Sequence, residues 1–243
     1  MSDPPTDELE AIRSRYARRG TLPPGLYDPL NQYVRLAAQQ RERALVHCLW
    51  RSGLAPLANK RALEVGCGSG DNLLDLMRLG FRPENLVGNE LLEDRLATAR
   101  ERLPVGVTLV PGDAATLDLP DESFDCVLQS TVFTSILDDA LQERLARRMW
   151  ALVRPGGGVL WYDFVWNNPR NQDVRGVPVV RVRRLFPEGM LRQWRVTLAP
   201  PLGRLLCQVS PALYGLANVL PLLRTHVLCW IAKPRRGPGI PIC

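Results

Sequence analysis

The stretch from Arg61 to Asn72 constrains this 243-residue chain more than any other. A short apolar run, Ala62 to Val65, ends in glycines at positions 66, 68 and 70, and apolar residues then recur at helical spacing over residues 73–77. Glycine allows a sharp turn and lets the backbone approach a ligand without a Cβ in the way. The following helix directs unpaired N–H groups and its positive dipole end at the turn. The stretch therefore predicts a strand, a tight turn and a helix that together cradle a small molecule.

The spacing of these glycines separates several kinds of cradle. A phosphate-binding loop needs a Gly-Lys-Ser/Thr sequence, and this stretch contains no lysine. The dinucleotide fingerprint G-x-G-x-x-G would need a glycine where Asp71 stands. The segment Glu64 to Gly70 instead resembles E/D-x-G-x-G-x-G, the first motif of class I S-adenosylmethionine (SAM)-dependent methyltransferases. Taken alone, the motif leaves open an ordinary strand-to-helix turn without a ligand.

A second stretch, residues 88–100, follows in register with the first. It is similar along its length to the methyltransferase pattern G-x-D/E-L-x-x-x-x-L-x-x-A-R. A predicted short strand, residues 85–90, ends in Glu90, about 20 residues past the glycine turn. A carboxylate at this point can accept hydrogen bonds from two adjacent ribose hydroxyls. Glu90 is therefore predicted to hold a ribose.

Two further landmarks complete the resemblance. A G-D-A turn at residues 112–114 follows a predicted third strand, and an R-P-G-G turn at residues 154–157 precedes a predicted fifth strand. These landmarks cover residues 61–164, and the chain is identified as a member of the class I SAM-dependent methyltransferases, similar to the ubiquinone/menaquinone-type methyltransferase 11 group. The resemblance implies an enzyme with SAM as cofactor and with Asp113 on the adenine amino group. It implies the following cofactor-binding residues: Glu64, Gly66, Cys67, Gly68, Ser69, Gly70, Asn72, Glu90, Leu91, Asp113, Ala114 and Gln129.

The fold expected from this resemblance is α/β, with a Rossmann-like, doubly wound, mostly parallel sheet of seven strands. Residues 1–56 are predicted to form an N-terminal helical cap, and residues 57–233 the methyltransferase domain. A helical insertion is expected near the C-terminus, at residues 205–223. The tail, residues 234–243, has three prolines and two glycines and is expected to be disordered.

The predicted insertion, residues 205–223, contains no charged residue, and its length approaches that of a membrane span. Its prolines, its central glycine and its place between sheet strands argue against a span. We expect a flap that packs on the core or walls the acceptor pocket, with peripheral membrane contact as the alternative. The N-terminus lacks the apolar segment of a signal peptide and the six cysteines show no paired spacing, so a cytoplasmic location is expected.

The methyl acceptor is expected over the carboxyl ends of strands four and five, where open α/β sheets bind ligands. Because a base helps to remove the proton of a hydroxyl acceptor, His226 and Asp163 are the candidate catalytic residues. Each also has a structural interpretation, Asp163 as a carboxylate bonded to a loop and His226 as a capped strand end. The candidate acceptor-binding residues are Tyr27, Tyr33, Ser130, Thr131, Phe133, Tyr162, Asn167, Asn168 and Arg170.

The favoured acceptor atom is a hydroxyl oxygen of a small biosynthetic intermediate. Residues 170–195 carry seven arginines against two acids and could hold the phosphate or carboxylate of a sugar, glycan or natural product. The alternatives are carbon or nitrogen methylation of an apolar, lipid-like acceptor held by residues 205–223, and a non-catalytic SAM-binding regulatory or partner subunit. No D/N-P-P-Y/F loop and no carboxylate cluster follows strand four, so neither nucleic acid nor a divalent metal is favoured. The sequence leaves the oligomeric state open.

Overall fold

The computed structural model describes residues 5–19, 25, 28–168 and 171–236 of the chain. Within these residues, seven strands form one sheet in the order β3-β2-β1-β4-β5-β7-β6. All strand pairs among the first five strands are parallel, and β7 is antiparallel to both β5 and β6. The predicted mostly parallel, Rossmann-like sheet of seven strands is confirmed. The strands are β1 (Ala62–Val65), β2 (Leu86–Glu90), β3 (Thr108–Pro111), β4 (Phe124–Ser130), β5 (Val153–Phe164), β6 (Met190–Leu198) and β7 (Arg224–Ala232).

Helices cover both faces of the sheet. One face packs on α5 through Met149 and Leu152, and the other packs on α3 through Leu73 and Leu76. Because helices lie on both sides, β1 and β2 are buried along their whole length. Within the described part of the chain the helices are α1 (Pro5–Arg19), α2 (Gln32–Ser52), α3 (Asp71–Arg78), α4 (Glu93–Arg102), α5 (Asp139–Leu152), α6 (Val179–Leu185), α7 (Pro200–Val209) and α8 (Pro211–Ala217).

Helix α2 lies across the antiparallel part of the sheet. It begins at Asn31, whose side chain accepts hydrogen bonds from two backbone N–H groups of the first turn, and it ends at Gly53 with a φ of 73°. A capping Asn and a glycine in the left-handed region are common signals for helix ends. The side chain of Gln40 accepts a hydrogen bond from the N–H of Thr197 at 3.1 Å. This bond ties α2 to the edge strand β6, so α2 walls one side of the sheet.

Helix α1 docks on the segment that follows β4. The buried guanidinium of Arg15 donates to Glu8 Oε1 at 2.7 Å and to the carbonyl of Ser135 at 3.1 Å. Glu8 Oε1 also accepts a hydrogen bond from the N–H of Leu137 at 2.8 Å. Removing either member of a buried ion pair leaves the other charge uncompensated, so this contact holds α1 in place. Most of the segment between α1 and α2 lies outside the described residues.

The C-terminal insertion starts earlier than predicted. It consists of α7 and α8 and begins at Pro200, not at residue 205. Prolines at positions 200 and 201 suit the first turn of a helix, where no N–H donor is needed. The prediction missed this turn because Arg204 interrupts the uncharged run. No described helix, these included, is long and apolar enough to cross a membrane.

The last strand also starts earlier than predicted. β7 begins at Arg224, so His226 lies within the strand and is not its capped end. Its ring shares a sheet face with Phe164, because the two residues are paired across β5 and β7. The predicted domain limits at residues 56, 57 and 233 stay predictions, as does the disorder of the tail. Residues 237–243 of that tail lie outside the described residues.

Candidate functional site

The glycine turn between β1 and α3 is formed by left-handed backbone. The φ angles of Gly66, Gly68 and Gly70 are 64°, 56° and 87°. A Cβ at Gly66 would lie 2.6 Å from Val132 Cγ2, and a Cβ at Gly68 would lie 2.7 Å from Arg95 Nη2. The backbone conformation favours glycine at all three positions, and the close approach of Val132 adds a steric requirement at Gly66.

Glu64, the third residue of β1, is a buried carboxyl group with an unused oxygen. Its Oε1 accepts a hydrogen bond from Asn72 Nδ2 at 2.5 Å. Its buried Oε2 has no partner among the described residues. Burial raises the pKa of Glu64 to about 8. A buried, unpaired acceptor is costly, and a cationic donor carried by a ligand would satisfy it.

Glu90 connects the tip of β2 to the glycine turn. Its Oε2 accepts a hydrogen bond from the N–H of Gly68 at 2.7 Å. Its Oε1 accepts from the N–H groups of Leu91 and Leu92 at 2.8 and 3.0 Å. A carboxylate has about four acceptor positions, so one position on Oε2 stays available to a hydroxyl. The geometry thus fits the predicted ribose contact, with fewer free acceptor positions than the two hydroxyls would use.

Two of the other predicted cofactor residues shape the turns around this point. Asp113 Oδ1 accepts a hydrogen bond from the N–H of Ala115 at 2.9 Å and so caps the short turn after β3. Gln129 is fully buried, and its Oε1 accepts from the N–H of Val132 at 3.1 Å. Asp113 lines the cavity described below, whereas Gln129 supports its wall from behind.

A cavity of about 1760 Å³ lies over the carboxyl ends of β1, β2, β4 and β5. Helices α1, α2 and α7 also contribute to its walls. Ligand pockets that bury one drug-sized molecule have volumes of about 300–1,000 Å³. The cavity is therefore large enough to hold a cofactor and an acceptor together. Of the predicted cofactor residues it is lined by Gly66, Glu90, Leu91, Asp113 and Ala114, and the lining does not include Glu64, Cys67, Gly68, Ser69, Gly70, Asn72 and Gln129.

Aromatic residues form the wall of the cavity beyond the glycine turn. The imidazole of His226 stacks on the ring of Tyr162, with centroids 5.2 Å apart and an interplanar angle of 17°. Phe164 meets the same imidazole edge to face at 5.8 Å. The hydroxyl of Tyr162 is bonded to Thr197 Oγ1 at 2.8 Å, and Thr197 has a φ of 60°. A non-glycine residue at positive φ stores strain, which is common at functional sites.

The two predicted catalytic residues have different positions. His226 lines the cavity, and its Nδ1 lies 3.0 Å from Thr225 Oγ1. Burial, followed by the nearby charge of Arg41, lowers the pKa of His226 to about 4. The imidazole is therefore neutral at pH 7 and only a weak base.

Asp163 does not line the cavity. It is fully buried, and the N–H groups of Thr134 and Phe164 donate to its carboxyl oxygens at 3.3 and 3.2 Å. Burial raises the pKa of Asp163 to about 7. This geometry favours the structural interpretation, in which Asp163 fixes the segment after β4. Its catalytic role stays a prediction without geometric support.

The predicted acceptor residues fall into three groups. Phe133 is fully buried and packs on Trp161, with ring centroids 4.4 Å apart, so it supports the wall instead of lining it. Tyr27 and Arg170 lie outside the described residues. The residues that line the cavity as predicted are Tyr33, Ser130, Thr131, Tyr162, Asn167 and Asn168.

The arginines that the structure describes within residues 171–195 lie away from the cavity lining. None of those that the structure describes, which excludes Arg170, lines the cavity. Arg175 and Arg181 instead form ion pairs with Asp139 on α5, and Arg181 also pairs with Glu143 at 3.0 Å. The prediction that this segment binds an anionic acceptor was based on the clustering of arginines in the sequence. In the structure, α6 directs the charge of Arg181 at α5 and not at the cavity.

Other residues, which sequence reasoning missed, bring positive charge to the cavity. The guanidinium of Arg41 on α2 lies 5.5 Å from the ring centroid of Tyr162, and that of Arg204 on α7 lies 5.4 Å from the ring of Tyr33. Arg95 on α4 lies against the glycine turn and 5.2 Å from the ring of Tyr16. Arg41 and Arg204 lie outside the motifs, and Arg95 occupies a variable position of the pattern at residues 88–100. The packing of α2, α4 and α7 brings them to the site. No group of three or more potential metal ligands occurs within the described residues.

The glycine turn, the two acids at the ends of β1 and β2 and the cavity above them define a nucleoside-binding enzyme of the methyltransferase type. A family model described as a methyltransferase domain matches residues 62–157. A demethylmenaquinone methyltransferase of Roseiflexus sp. is 31% identical over 189 residues, which are 76% of this chain and 72% of the relative. A fatty-acid O-methyltransferase of Mycolicibacterium smegmatis is 39% identical over 112 residues, which are 45% of this chain and 39% of that relative.

A solved structure shares the fold over almost the whole chain. The 1,6-didemethyltoxoflavin-N1-methyltransferase of Burkholderia thailandensis, solved with bound S-adenosylhomocysteine, aligns with a TM-score of 0.62 at 18% identity. The alignment covers 96% of this chain and 92% of that chain. This structure supports the fold. The relative from Roseiflexus, 31% identical over more than two thirds of both proteins, shows that the chain belongs to the class I SAM-dependent methyltransferases, and SAM is its cofactor.

Proposed function

We propose that this methyltransferase acts on an apolar, lipid-like acceptor that carries an acidic oxygen. The observation that supports the proposal most is the wall of the cavity beyond the glycine turn. Tyr162 and Phe164 make this wall aromatic, and the guanidinium groups of Arg41 and Arg204 lie against tyrosine rings in the same cavity. An apolar body would contact the rings, and one anionic group would meet an arginine.

The cofactor half of the cavity is assigned to the glycine turn and the two acids. We assign a ribose hydroxyl to the free position on Glu90. Glu64 does not line the cavity itself, but it precedes the lining residues Val65 and Gly66, and we assign the ammonium group of SAM to its unpartnered Oε2. The resemblance assigns the adenine amino group to Asp113. SAM supplies a methyl group that is activated by the positive charge on its sulfur. The task of the protein is then to hold the acceptor atom in line with that group, which can supply a large part of the rate.

The weak basicity of the cavity favours an acceptor that is already an anion. His226 is neutral with a pKa of about 4, and Asp163 lies behind the wall. A hydroxyl acceptor needs help to lose its proton, whereas a carboxylate is ionised at neutral pH. A carboxylate oxygen, or the oxygen of an acidic phenol, therefore fits these residues better than the hydroxyl of a sugar. The hydroxyl hypothesis also loses the support of the arginines of residues 170–195.

The names of two relatives support an apolar acceptor. One relative is named for methylating a fatty acid on oxygen, and the other for methylating demethylmenaquinone. The match to the first covers less than half of either protein. The names thus support an apolar acceptor in general, and the proposal for this chain rests on the residues that line its own cavity.

Carbon methylation of an aromatic ring is the second candidate. The flat stack of His226 on Tyr162 offers a planar wall against which a ring can lie. A phenolate oxygen held near Arg41 would leave the neighbouring ring carbon electron-rich, so that the carbon becomes the nucleophile. The same residues thus serve both candidates, and only the product distinguishes them.

The position of the transferred methyl group tests the proposal. The protein is incubated with SAM labelled in the methyl group and, separately, with a long-chain fatty acid, a naphthoquinol and a nucleotide sugar. Each labelled product is then treated with alkali, which releases methanol from a carboxyl ester and leaves ethers and carbon-bound methyl groups intact. We expect the label to enter the fatty acid or the naphthoquinol. Alkali should release the label from the fatty acid product and leave it bound in the naphthoquinol product. Label confined to the nucleotide sugar, or SAM binding without transfer to any acceptor, would contradict the proposal.

A further inference from the structure

Helices α7 and α8 and the turn after them present an uncharged apolar surface to solvent. Within the described residues, the side chains of Leu205, Val209, Leu216, Val219, Leu220 and Leu222 are between 56% and 94% exposed. We call these six residues the apolar patch. Exposed apolar groups that cluster in this way mark sites of contact with other molecules more often than scattered ones do.

The patch is the outer side of an element whose inner side is well packed. Tyr214 is buried against Tyr33 and donates a hydrogen bond to the Gln40 side chain at 2.9 Å. Leu205 and Val209, four residues apart, share the outward side of α7. The apolar residues of the patch are therefore held outward by a fixed framework.

The part of the sequence that carries the patch has charge of a single sign. From Gly189 to Cys243 the sequence contains no acidic residue and seven basic ones. Beside α8, the exposed Arg35 of α2 lines a groove together with Pro211. A second copy of the chain placed patch to patch would bring like charges together, which is unfavourable. An anionic surface would instead be attracted.

The patch is also continuous with the cavity. Pro200, Pro201 and Arg204, in the first turns of α7, line the cavity, and Leu205 follows directly on the same helix. None of the six patch residues lines the cavity themselves. A surface that contacts the patch would thus lie beside the entrance on the α7 side.

We propose that the apolar patch docks the enzyme on the surface of an anionic phospholipid bilayer. The aliphatic side chains enter the boundary between headgroups and acyl chains, and the exposed Arg35 of α2, which lines a groove together with Pro211 of α8, contacts lipid phosphates. An apolar acceptor dissolved in the bilayer then reaches the cavity along α7 without crossing water. Docking on a bilayer is a separate proposal from the identity of the acceptor, because membrane binding can be measured without any acceptor.

Vesicle flotation of the full chain tests the proposal. The probes are vesicles of phosphatidylcholine mixed with phosphatidylglycerol, and vesicles of phosphatidylcholine alone. The variant carries Val209→Gln, Leu216→Gln and Leu222→Gln, and the matched control carries Val105→Gln, a fully exposed apolar residue in the loop between α4 and β3. We expect wild type and control to float with the anionic vesicles and less so as salt is raised, and the triple variant to bind at least about tenfold more weakly.

Three further readouts keep the result unambiguous. Thermal unfolding and SAM binding by calorimetry should be unchanged in the triple variant, because its positions lie outside the cavity and the packed side of the helices. Light scattering measures the oligomeric state. The proposal is overturned if wild type does not bind anionic vesicles, if the triple variant binds them as tightly, or if wild type is a dimer that the variant dissociates. Methyl transfer to a dispersed acceptor is assayed separately, without vesicles. A negative result in that assay would count against the proposed acceptor and not against docking.

Discussion

The backbone N–H of Gly68 donates a hydrogen bond of 2.7 Å to the carboxylate of Glu90, which joins the glycine turn to the tip of the neighbouring strand. The two residues belong to separate βα units, and the parallel pairing of β1 with β2 brings them together. The bond helps to fix the left-handed turn, because a charge-assisted bond is stronger than a neutral one. The conformation of the cradle therefore depends on an acid that also faces the cavity.

Gly66→Ala tests whether the turn needs glycine for space as well as for conformation. A Cβ at Gly66 would lie 2.6 Å from Val132, whereas a Cβ at Gly53 meets nothing within 4 Å. Both glycines have positive φ, so alanine at either position costs about 1 kcal/mol. We expect Gly66→Ala to lower the free energy of unfolding by about 1–3 kcal/mol more than the control Gly53→Ala, and to weaken SAM binding. Equal effects of the two substitutions in urea titrations would show that the close approach to Val132 is unimportant.

Glu64→Gln tests the contact assigned to the ammonium group of SAM. The pKa of Glu64 is raised to about 8, so in the free protein this carboxyl is mostly protonated at pH 7. Binding a cation favours the carboxylate, and the proton must then leave. We expect SAM affinity in wild type to rise as the pH approaches 8, with proton release measurable by calorimetry in buffers of different ionisation enthalpy. Glu64→Gln should bind more weakly and lack this proton release, and an identical pH dependence in both proteins would refute the contact.

Asp163→Asn tests the burial of the second raised carboxyl group. Its pKa is raised from 3.8 to about 7, so the native state holds a proton that the unfolded chain releases. The stabilisation is therefore full below about pH 4 and is lost as the pH rises through about 7. We expect the unfolding free energy of wild type to fall between these values and that of Asp163→Asn to fall less. The exposed Asp118→Asn should behave as wild type, and a variant slope equal to that of wild type would contradict the argument.

Arg41→Gln tests the electrostatic link between α2 and β7. Burial and the charge of Arg41 together lower the pKa of His226 to about 4. Removing the charge should raise this pKa toward the ordinary value, so His226 would become protonated at a higher pH. The chain has only two histidines, so NMR can follow the imidazole of His226 directly. The control is Arg43→Gln, which changes an exposed arginine two residues further along the same helix and should leave the pKa of His226 unchanged. An unchanged pKa of His226 in Arg41→Gln would show that the charge of Arg41 does not act on this imidazole.

The parallel half of the fold was predictable because each strand ends in a recognisable turn. The glycines after β1, Glu90 at the end of β2 and the G-D-A turn after β3 are local signals, and parallel pairing places the carboxyl ends of these strands at one edge. The structure accordingly brings Gly66, Glu90 and Asp113 to one cavity.

The acceptor side was less predictable because it depends on packing between distant segments. Arg41 reaches Tyr162 because α2 packs across β6 and β7, where Gln40 bonds to Thr197. The arginines of residues 170–195 suggested an anion site, but clustering in sequence does not reveal which neighbour a helix faces, and Arg181 pairs with Glu143. Asp163 was a plausible base by position, yet it is not among the residues that line the cavity, and its carboxyl oxygens accept hydrogen bonds from the N–H groups of Thr134 and Phe164.

Calorimetric titration of SAM into Glu90→Ala tests the cofactor site most directly. The matched control is Glu93→Ala, an acid on α4 that pairs with Arg100 at 2.6 Å on the surface. Since hydrogen bonds to a charged group contribute about 1.5–3 kcal/mol, loss of the Glu90 carboxylate should weaken SAM binding by about ten- to a hundredfold. Glu93→Ala should bind SAM like wild type. If Glu90→Ala also binds SAM with wild-type affinity, the cofactor does not occupy the cradle described here.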